Sequence, residues 1–165
     1  MKRLAAVMCV LAACNVAHAQ SANPLTTAAR FHYGVVRDYV IRASVKMAQE
    51  DYAFRPTPEV RSFARLIGHL ADSNYRLCSV IAGQDPPIDA GIEKSKRTKD
   101  ELTGALDESF TYCDQQYAAM TDAAGTPMVK FDAGGEGARV PLLMPRLTVL
   151  AFHTQPTRSN TTGIS

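Results

Sequence analysis

The sequence predicts an all-α fold in which four helices form a bundle. Three segments repeat apolar residues at steps of three and four, which is the spacing of one helix face. A fourth segment near the C-terminus is apolar enough to join them, and no segment shows convincing strand alternation. The 165 residues leave room for one such domain, which we place at residues 23–154.

The N-terminal segment MKRLAAVMCVLAACNVAHAQ has the order of a secretory signal peptide. Lys2 and Arg3 precede an apolar run, and Ala17-His18-Ala19 is a small-residue cleavage site, so residues 1–19 are expected to be removed. An alternative interpretation takes Leu11-Ala12-Ala13-Cys14 as a lipobox, with lipid attached to Cys14. The run is too short for a transmembrane helix, so we predict an exported protein, periplasmic or extracellular.

Composition narrows the function classes. The formal net charge is +2 and the basic residues are scattered along the chain, which argues against nucleic-acid binding. Beyond the signal peptide the chain keeps two cysteines, Cys78 and Cys113. An exported pair can form one disulfide, but cysteines on helix faces are more often separate small buried residues, and that interpretation is favoured here.

The first predicted helix spans Thr26–Met47. Its inward face is expected to consist of His32, Val36, Tyr39, Val40, Ala43 and Met47. His32 on that face is interpreted as a core histidine with a local hydrogen bond. The following segment EDYAFRPTPEVRS carries two prolines and cannot continue the helix.

The second predicted helix spans Phe63–Ile81, with Ser62 as its N-cap. Its inward residues are Phe63, Leu66, Ile67, Leu70, Leu77 and Ile81. His69 and Ser73 lie at the edge of that stripe. The segment AGQDPPIDAG, with glycine and paired prolines, ends the helix.

The third predicted helix begins at a capping box formed by Thr98 and Glu101. Its stripe consists of Leu102, Ala105, Leu106, Phe110, Cys113, Tyr117 and Met120. A glycine-rich loop follows, with a short extended piece at Met128–Phe131. The run VPLLMPRLTVLAFH predicts the fourth helix, in which Pro145 should delay the start or introduce a kink.

Two stretches of the chain resemble a known family. EDYAFRPTPEVRSFARLIGHLADSNYRLCS and IEKSKRTKDELTGALDESFTYCDQQYAAMTDA resemble the DinB-like superfamily, in particular its exported members. The resemblance implies a four-helix bundle and a divalent metal, zinc or nickel, held by three histidines. One histidine comes from the second helix and two come from a His-x-x-x-His pair on the fourth. Relatives with known chemistry transfer small thiols or isomerise with thiol help, and such bundles often form homodimers.

The resemblance places His69 at the metal-ligand position of the second helix. Three neutral imidazoles leave open coordination positions where a metal can acidify a water or a thiol. Without the resemblance, His69 is better explained as a helix-edge histidine bonded to a carbonyl or to water; the resemblance reverses that preference in favour of the ligand position. His153 is a second ligand candidate, although it falls about three positions before the first expected histidine of the fourth helix. The carboxylates Asp72, Asp114 and Glu108 are interpreted as a solvated face.

The segment TQPTRSNTTGIS departs from the family pattern, which continues with a sequence similar to His-x-x-Glu-His-Tyr-Gly-Asn. Residues 155–165 are polar and contain no histidine, so they can neither complete the metal site nor extend an amphipathic helix. Read from the third base of its first codon, one permitted back-translation of Gln155–Ile164 spells Ala-His-Ser-Ile-Glu-His-Tyr-Gly-Asn. This predicts a frameshift or sequence error, a shortened last helix, and metal binding that is weak or absent.

Two functions of different classes follow. The first is an exported metal-dependent enzyme, a thiol transferase or hydrolase acting on a small molecule, with impaired activity. The second is a non-catalytic helical module for binding or stress response. The resemblance assigns no catalytic residue to this chain.

Overall fold

The computed structural model describes residues 22–89, 91–132, 141–146 and 148–149. The predicted signal peptide at residues 1–19 and the polar tail at residues 155–165 lie outside the described residues. The described chain is mainly helical, as the sequence predicts.

Helix α1 spans Pro24–Lys46 and is followed by a 3-10 helix at Gln49–Ala53. The N-terminus of α1 is capped by Asp122, a residue that follows the third long helix. The Asp122 carboxylate accepts from the backbone N–H of Leu25 at 3.1 Å and of Thr26 at 2.8 Å. These bonds satisfy backbone donors that have no partner within the helix.

The inward face predicted for α1 is correct only in part, because Val40 and Met47 are half-buried against the core but other members of the face are not. His32, Tyr39 and Ala43 are exposed, and the buried residues of the helix are Thr26, Ala29, Tyr33 and Ser44. The buried stripe carries polar groups that bond to their surroundings: the Tyr33 hydroxyl donates to Asp114 at 2.8 Å. Because hydrophobic periodicity ignores such groups, it selected a neighbouring face.

Helix α2 spans Phe63–Ala82, and Ser62 is its N-cap, as predicted. The Ser62 side chain accepts from the backbone N–H of Arg65 at 3.3 Å. The helix ends at Gly83, whose φ of 73° is the left-handed conformation common at helix C-termini.

Helix α3 is a short element at Ile92–Ser95 that the sequence did not predict. Helix α4 spans Lys99–Ala119 and corresponds to the third predicted helix. The capping box of Thr98 and Glu101 is confirmed. All seven residues of the predicted α4 stripe are buried: Leu102, Ala105, Leu106, Phe110, Cys113, Tyr117 and Met120.

Contacts between the long helices fix their directions. Asn74 donates to Ser109 at 3.0 Å and Cys78 is bonded to Cys113 one turn later, so α2 and α4 run parallel. Helix α1 runs antiparallel to α4, because Thr26 at its start contacts Asp122 beyond the end of α4. The connection between the parallel helices returns along α2 and carries α3.

Cys78 and Cys113 form a disulfide, so the favoured interpretation of two separate buried cysteines is wrong. Both residues are fully buried, so the burial part of that interpretation is correct. Parallel packing of α2 against α4 brings their Cα atoms to 5.4 Å, within the range that a disulfide requires.

The predicted extended piece after α4 is confirmed as strand β1, Met128–Asp132. It pairs antiparallel with β2, Pro141–Pro145, in a register that sets Met128 opposite Pro145. Residues 141–145, the first part of the run that the sequence assigned to the fourth helix, are therefore strand rather than helix. Helical backbone is present at Arg146, Thr148 and Val149, so Pro145 does delay the helix.

Among the described residues, no helix is both long enough and apolar enough to cross a lipid bilayer.

Candidate functional site

His69 lies in the middle of α2, and its side chain is 28% exposed. The Nδ1 atom is 3.1 Å from Oε2 of Glu93, the second residue of α3. His69 is therefore at the edge of the buried stripe, as predicted, and it has a carboxylate partner that neither sequence interpretation included.

Electrostatics determine which ring nitrogen carries the proton. Burial is the main cause that lowers the pKa of His69, and the positive charge of Arg61 lowers it further, against the opposing effect of Glu93. The ring is thus neutral at neutral pH. Because an ionised carboxylate can only accept a hydrogen bond, Nδ1 holds the proton and Nε2 is unprotonated.

Glu93 is held by two arginines as well as by the imidazole. Its Oε1 atom accepts from Nε of Arg61 at 3.0 Å and from an Nη atom of Arg65 at 2.8 Å. Burial alone would raise the pKa of Glu93, but the hydrogen bond and charge of Arg61, then His69 and Arg65, bring it below its usual value. Glu93 is therefore ionised, and its side chain is 12% exposed.

Asp72 fixes the position of α3 on α2. Its two carboxylate oxygens accept from the backbone N–H groups of Gly91, Ile92 and Glu93, each at 3.0 Å. The solvated-face interpretation is thus wrong for Asp72. It is also wrong for Asp114, which accepts from the Tyr33 hydroxyl.

Gly68 allows the two helices to approach. A Cβ atom at this position would lie 2.6 Å from the Cα atom of Glu93, which is closer than real side chains come to backbone. The residue before His69 therefore has to be glycine if Glu93 is to reach the imidazole.

His69 fits the role of a metal ligand. A metal-bound imidazole usually donates its other ring N–H to a carboxylate, which fixes the tautomer and directs the second nitrogen at the metal. Nδ1 of His69 donates to Glu93 in this way, and Nε2 has no hydrogen-bond partner among the described residues.

The described residues do not supply the remaining ligands. His32 is exposed and packs edge-on against Phe31 with ring centroids 5.6 Å apart, so the core interpretation of His32 is wrong. His153 lies outside the described residues. Within those residues no group of three His, Cys, Asp or Glu side chains could hold a metal ion.

A family model described as the DinB superfamily matches residues 33–153, which is most of the chain. The chain belongs to the DinB superfamily. This confirms the resemblance seen in the sequence and, with it, the all-α fold class. No curated protein matches this DinB-superfamily chain.

Comparison with solved structures supports the same fold. The chain is similar to a mutant of the mycothiol-dependent maleylpyruvate isomerase, with a TM-score of 0.62 and 12% sequence identity. The similarity covers 78% of this chain and 56% of the isomerase, so the chain spans little more than half of that protein's length.

Sequence reasoning found His69 but missed Glu93, Asp72 and Arg61. These residues lie 24, 3 and 8 positions from His69, and no spacing rule links Glu93 to the histidine. The segment Asp89-Ala90-Gly91-Ile92-Glu93 contained one usable signal, since glycine before an acidic first turn is typical of a helix start.

Proposed function

We propose that this chain is an exported, metal-associated DinB-superfamily protein in which His69 is one ligand of a zinc or nickel ion. By family resemblance its reaction class is thiol transfer or hydrolysis on a small substrate. The observation that supports this most directly is the hydrogen bond from Nδ1 of His69 to Glu93, which leaves Nε2 available.

A metal bound at His69 would lower the pKa of a coordinated water or thiol and so supply a nucleophile at neutral pH. The residues of the chain prepare the ligand. Glu93 holds the proton on Nδ1, while Arg61 and Arg65 keep the Glu93 carboxylate ionised and in place. Asp72 fixes the backbone that carries Glu93.

Any thiol used in the reaction has to come from solution. Beyond the predicted signal peptide the sequence contains only Cys78 and Cys113, and these are joined in the disulfide. Neither sulfur can act as a thiol nucleophile in that state.

The ligand set is proposed to be incomplete, which would impair activity. Residues 154–165 contain no His, Cys, Asp or Glu, so the one candidate ligand in this part of the sequence is His153, the last residue of the fourth-helix segment. A single additional histidine cannot reproduce the three converging ligands of a tight site.

Metal stoichiometry tests this proposal. The mature protein, dialysed against a weak chelator, should retain clearly less than one equivalent of zinc or nickel by elemental analysis. A version with Ala-His-Ser-Ile-Glu-His-Tyr-Gly-Asn in place of residues 155–164 should retain close to one. In that version His69→Ala should abolish retention, whereas His32→Ala, a matched control on α1, should not.

Stoichiometric metal in the unaltered protein would show that the ligands have been assigned wrongly. Retention in the restored version that survives His69→Ala would contradict the role of His69. Glu93→Gln in the restored version should weaken binding by roughly 10–100-fold, which is the usual effect of losing such a carboxylate partner.

The second candidate is a non-catalytic helical binding or stress-response module. It is favoured by the absence of a three-ligand group among the described residues. If resequencing of the gene gives the same reading frame and the restored version binds no metal, the binding-module proposal replaces the enzyme proposal.

Export and self-association remain proposals. The disulfide supports export, since such bonds persist mainly in oxidising compartments. Mass spectrometry of envelope protein should give Gln20 as the N-terminus, and lipid on Cys14 would establish the lipoprotein alternative. The homodimer is checked by light scattering during gel filtration.

A further inference from the structure

Basic side chains that are scattered in the sequence converge on one cleft of the structure. The cleft has a volume of about 600 Å³ and lies between the 3-10 helix, the first turn of α2, and α3 with the turn that follows it. Five cations line it, against the single carboxylate of Glu93; they are Arg55, Arg65, Lys94, Lys96 and Arg97. We call these five residues and the space between them the basic cleft.

Most of this positive charge is not neutralised by protein carboxylates. Arg65 pairs with Glu93. Within the part of the chain that the structure describes, Arg55, Lys94, Lys96 and Arg97 make no salt bridge, and among these four Lys96 has a carboxylate, that of Glu101, close enough for its charge to lower the pKa of that group. Four like charges around one cavity repel each other, and a bound anion would relieve that repulsion.

The cleft is also organised before any ligand arrives. The Arg97 guanidinium donates to the backbone carbonyls of Lys96 at 2.7 Å and of Lys94, which holds its charge against the turn. Ser62 and Ala64 place the N-terminal turn of the 20-residue helix α2 on the cleft wall. The positive end of the helix dipole adds to the attraction for an anion.

We propose that the basic cleft binds a small molecule that carries two or more phosphate-type negative charges. Phosphate groups match the excess of charge better than single carboxylates, and guanidinium groups bind them through paired hydrogen bonds. The volume suits a ligand larger than inorganic phosphate, since small-molecule sites occupy roughly 300–1,000 Å³. The proposal does not depend on the metal site, because it needs only the cations and the helix terminus.

Inorganic pyrophosphate is the probe, titrated calorimetrically into the mature protein at about 0.15 M ionic strength. Prior dialysis against a chelator ensures that pyrophosphate does not bind through a metal ion. The test variant is the double substitution Arg55→Gln and Lys94→Gln. Both side chains are exposed, so neither substitution should prevent folding, which circular dichroism checks.

The matched control is Arg42→Gln with Lys130→Gln, which removes the same formal charge from two exposed residues, one on α1 and one on β1, that do not line the cleft. Pyrophosphate should bind the unaltered protein, and the test variant should bind at least about tenfold more weakly. The control should change the dissociation constant by less than about twofold, because distant charges are screened by salt.

Four results would overturn the proposal. The first is that the protein does not bind pyrophosphate at about 1 mM, and the second is that both double variants weaken binding equally. The third is that the protein binds citrate but does not bind pyrophosphate. The fourth is that it sediments with phosphatidylglycerol vesicles but does not bind pyrophosphate. The last would identify a lipid headgroup, rather than a soluble molecule, as the source of the phosphate.

Discussion

Reduction of the Cys78–Cys113 disulfide should cost this protein a large part of its stability. The two cysteines are separated by 35 residues, and the cross-link restricts a loop of that length in the unfolded chain. The chain-entropy relation for such a loop gives about 3.8 kcal/mol at 25 °C. Since single domains are stable by only about 5–15 kcal/mol, the loss is a quarter of the total or more.

The assay is urea unfolding of the oxidised and reduced protein, followed by circular dichroism at 222 nm. Because the sulfurs are fully buried, reduction is carried out in denaturant and the chain is then refolded with reductant present. A denaturant slope of about 2 kcal/mol/M converts the expected loss into a midpoint shift of roughly 2 M urea.

The double variant Cys78→Ala with Cys113→Ala is the control, and its unfolding curve should not respond to reductant. If oxidised and reduced protein unfold at the same urea concentration while mass spectrometry confirms two free thiols, the loop-entropy reasoning is refuted.

Three further predictions concern the core, the α2–α3 contact and acid stability. Leu106→Ala should lower the free energy of unfolding by about 2–5 kcal/mol in urea, because the side chain is 1% exposed. Gly68→Ala should destabilise the protein and shift the His69 imidazole NMR signals. Gly104→Ala is the control: its new Cβ atom would meet nothing within 4 Å, so this substitution should raise the free energy of unfolding by up to about 1 kcal/mol. A Gly68→Ala variant more stable than the Gly104→Ala variant would contradict the packing of α3 on α2. Hydrogen bonds depress the pKa values of Asp122 and of Glu101, the latter to about 2. The two ionised carboxylates therefore add to the free energy of unfolding above pH 4.5, and this contribution is lost as the pH falls towards 2. The melting temperature should fall over that window, and less steeply in the double variant Glu101→Gln with Asp122→Asn.

Local signals predicted the helices well. The α4 stripe was right at every position because the buried face is apolar apart from Ser109 and follows a helical period, and the capping box fixed the start of the helix. For α1 the same reasoning failed in part, because Thr26 and Ser44 are buried and make hydrogen bonds. Periodicity counts such residues as exposed, so it moved the predicted face towards Tyr39.

The site was predictable only in part. A family resemblance identified His69, but its partner Glu93 depends on how the α2–α4 connection folds back over Gly68. That contact is tertiary, and no local pattern encodes it. The convergence of Arg55 with Lys94 has the same origin, since residues that look scattered along a chain can meet when a connection returns along a helix.

The β-hairpin makes residues 133–140 a suitable place to insert a label. Asp132 pairs with Pro141, so the two residues that flank this segment are held side by side. An inserted sequence would therefore begin and end at adjacent points. The free-energy cost of closing the enlarged loop would rise by only about 0.6 kcal/mol for each doubling of its length. A peptide tag or a fluorophore-binding sequence could be carried there while the helices and His69 keep their positions.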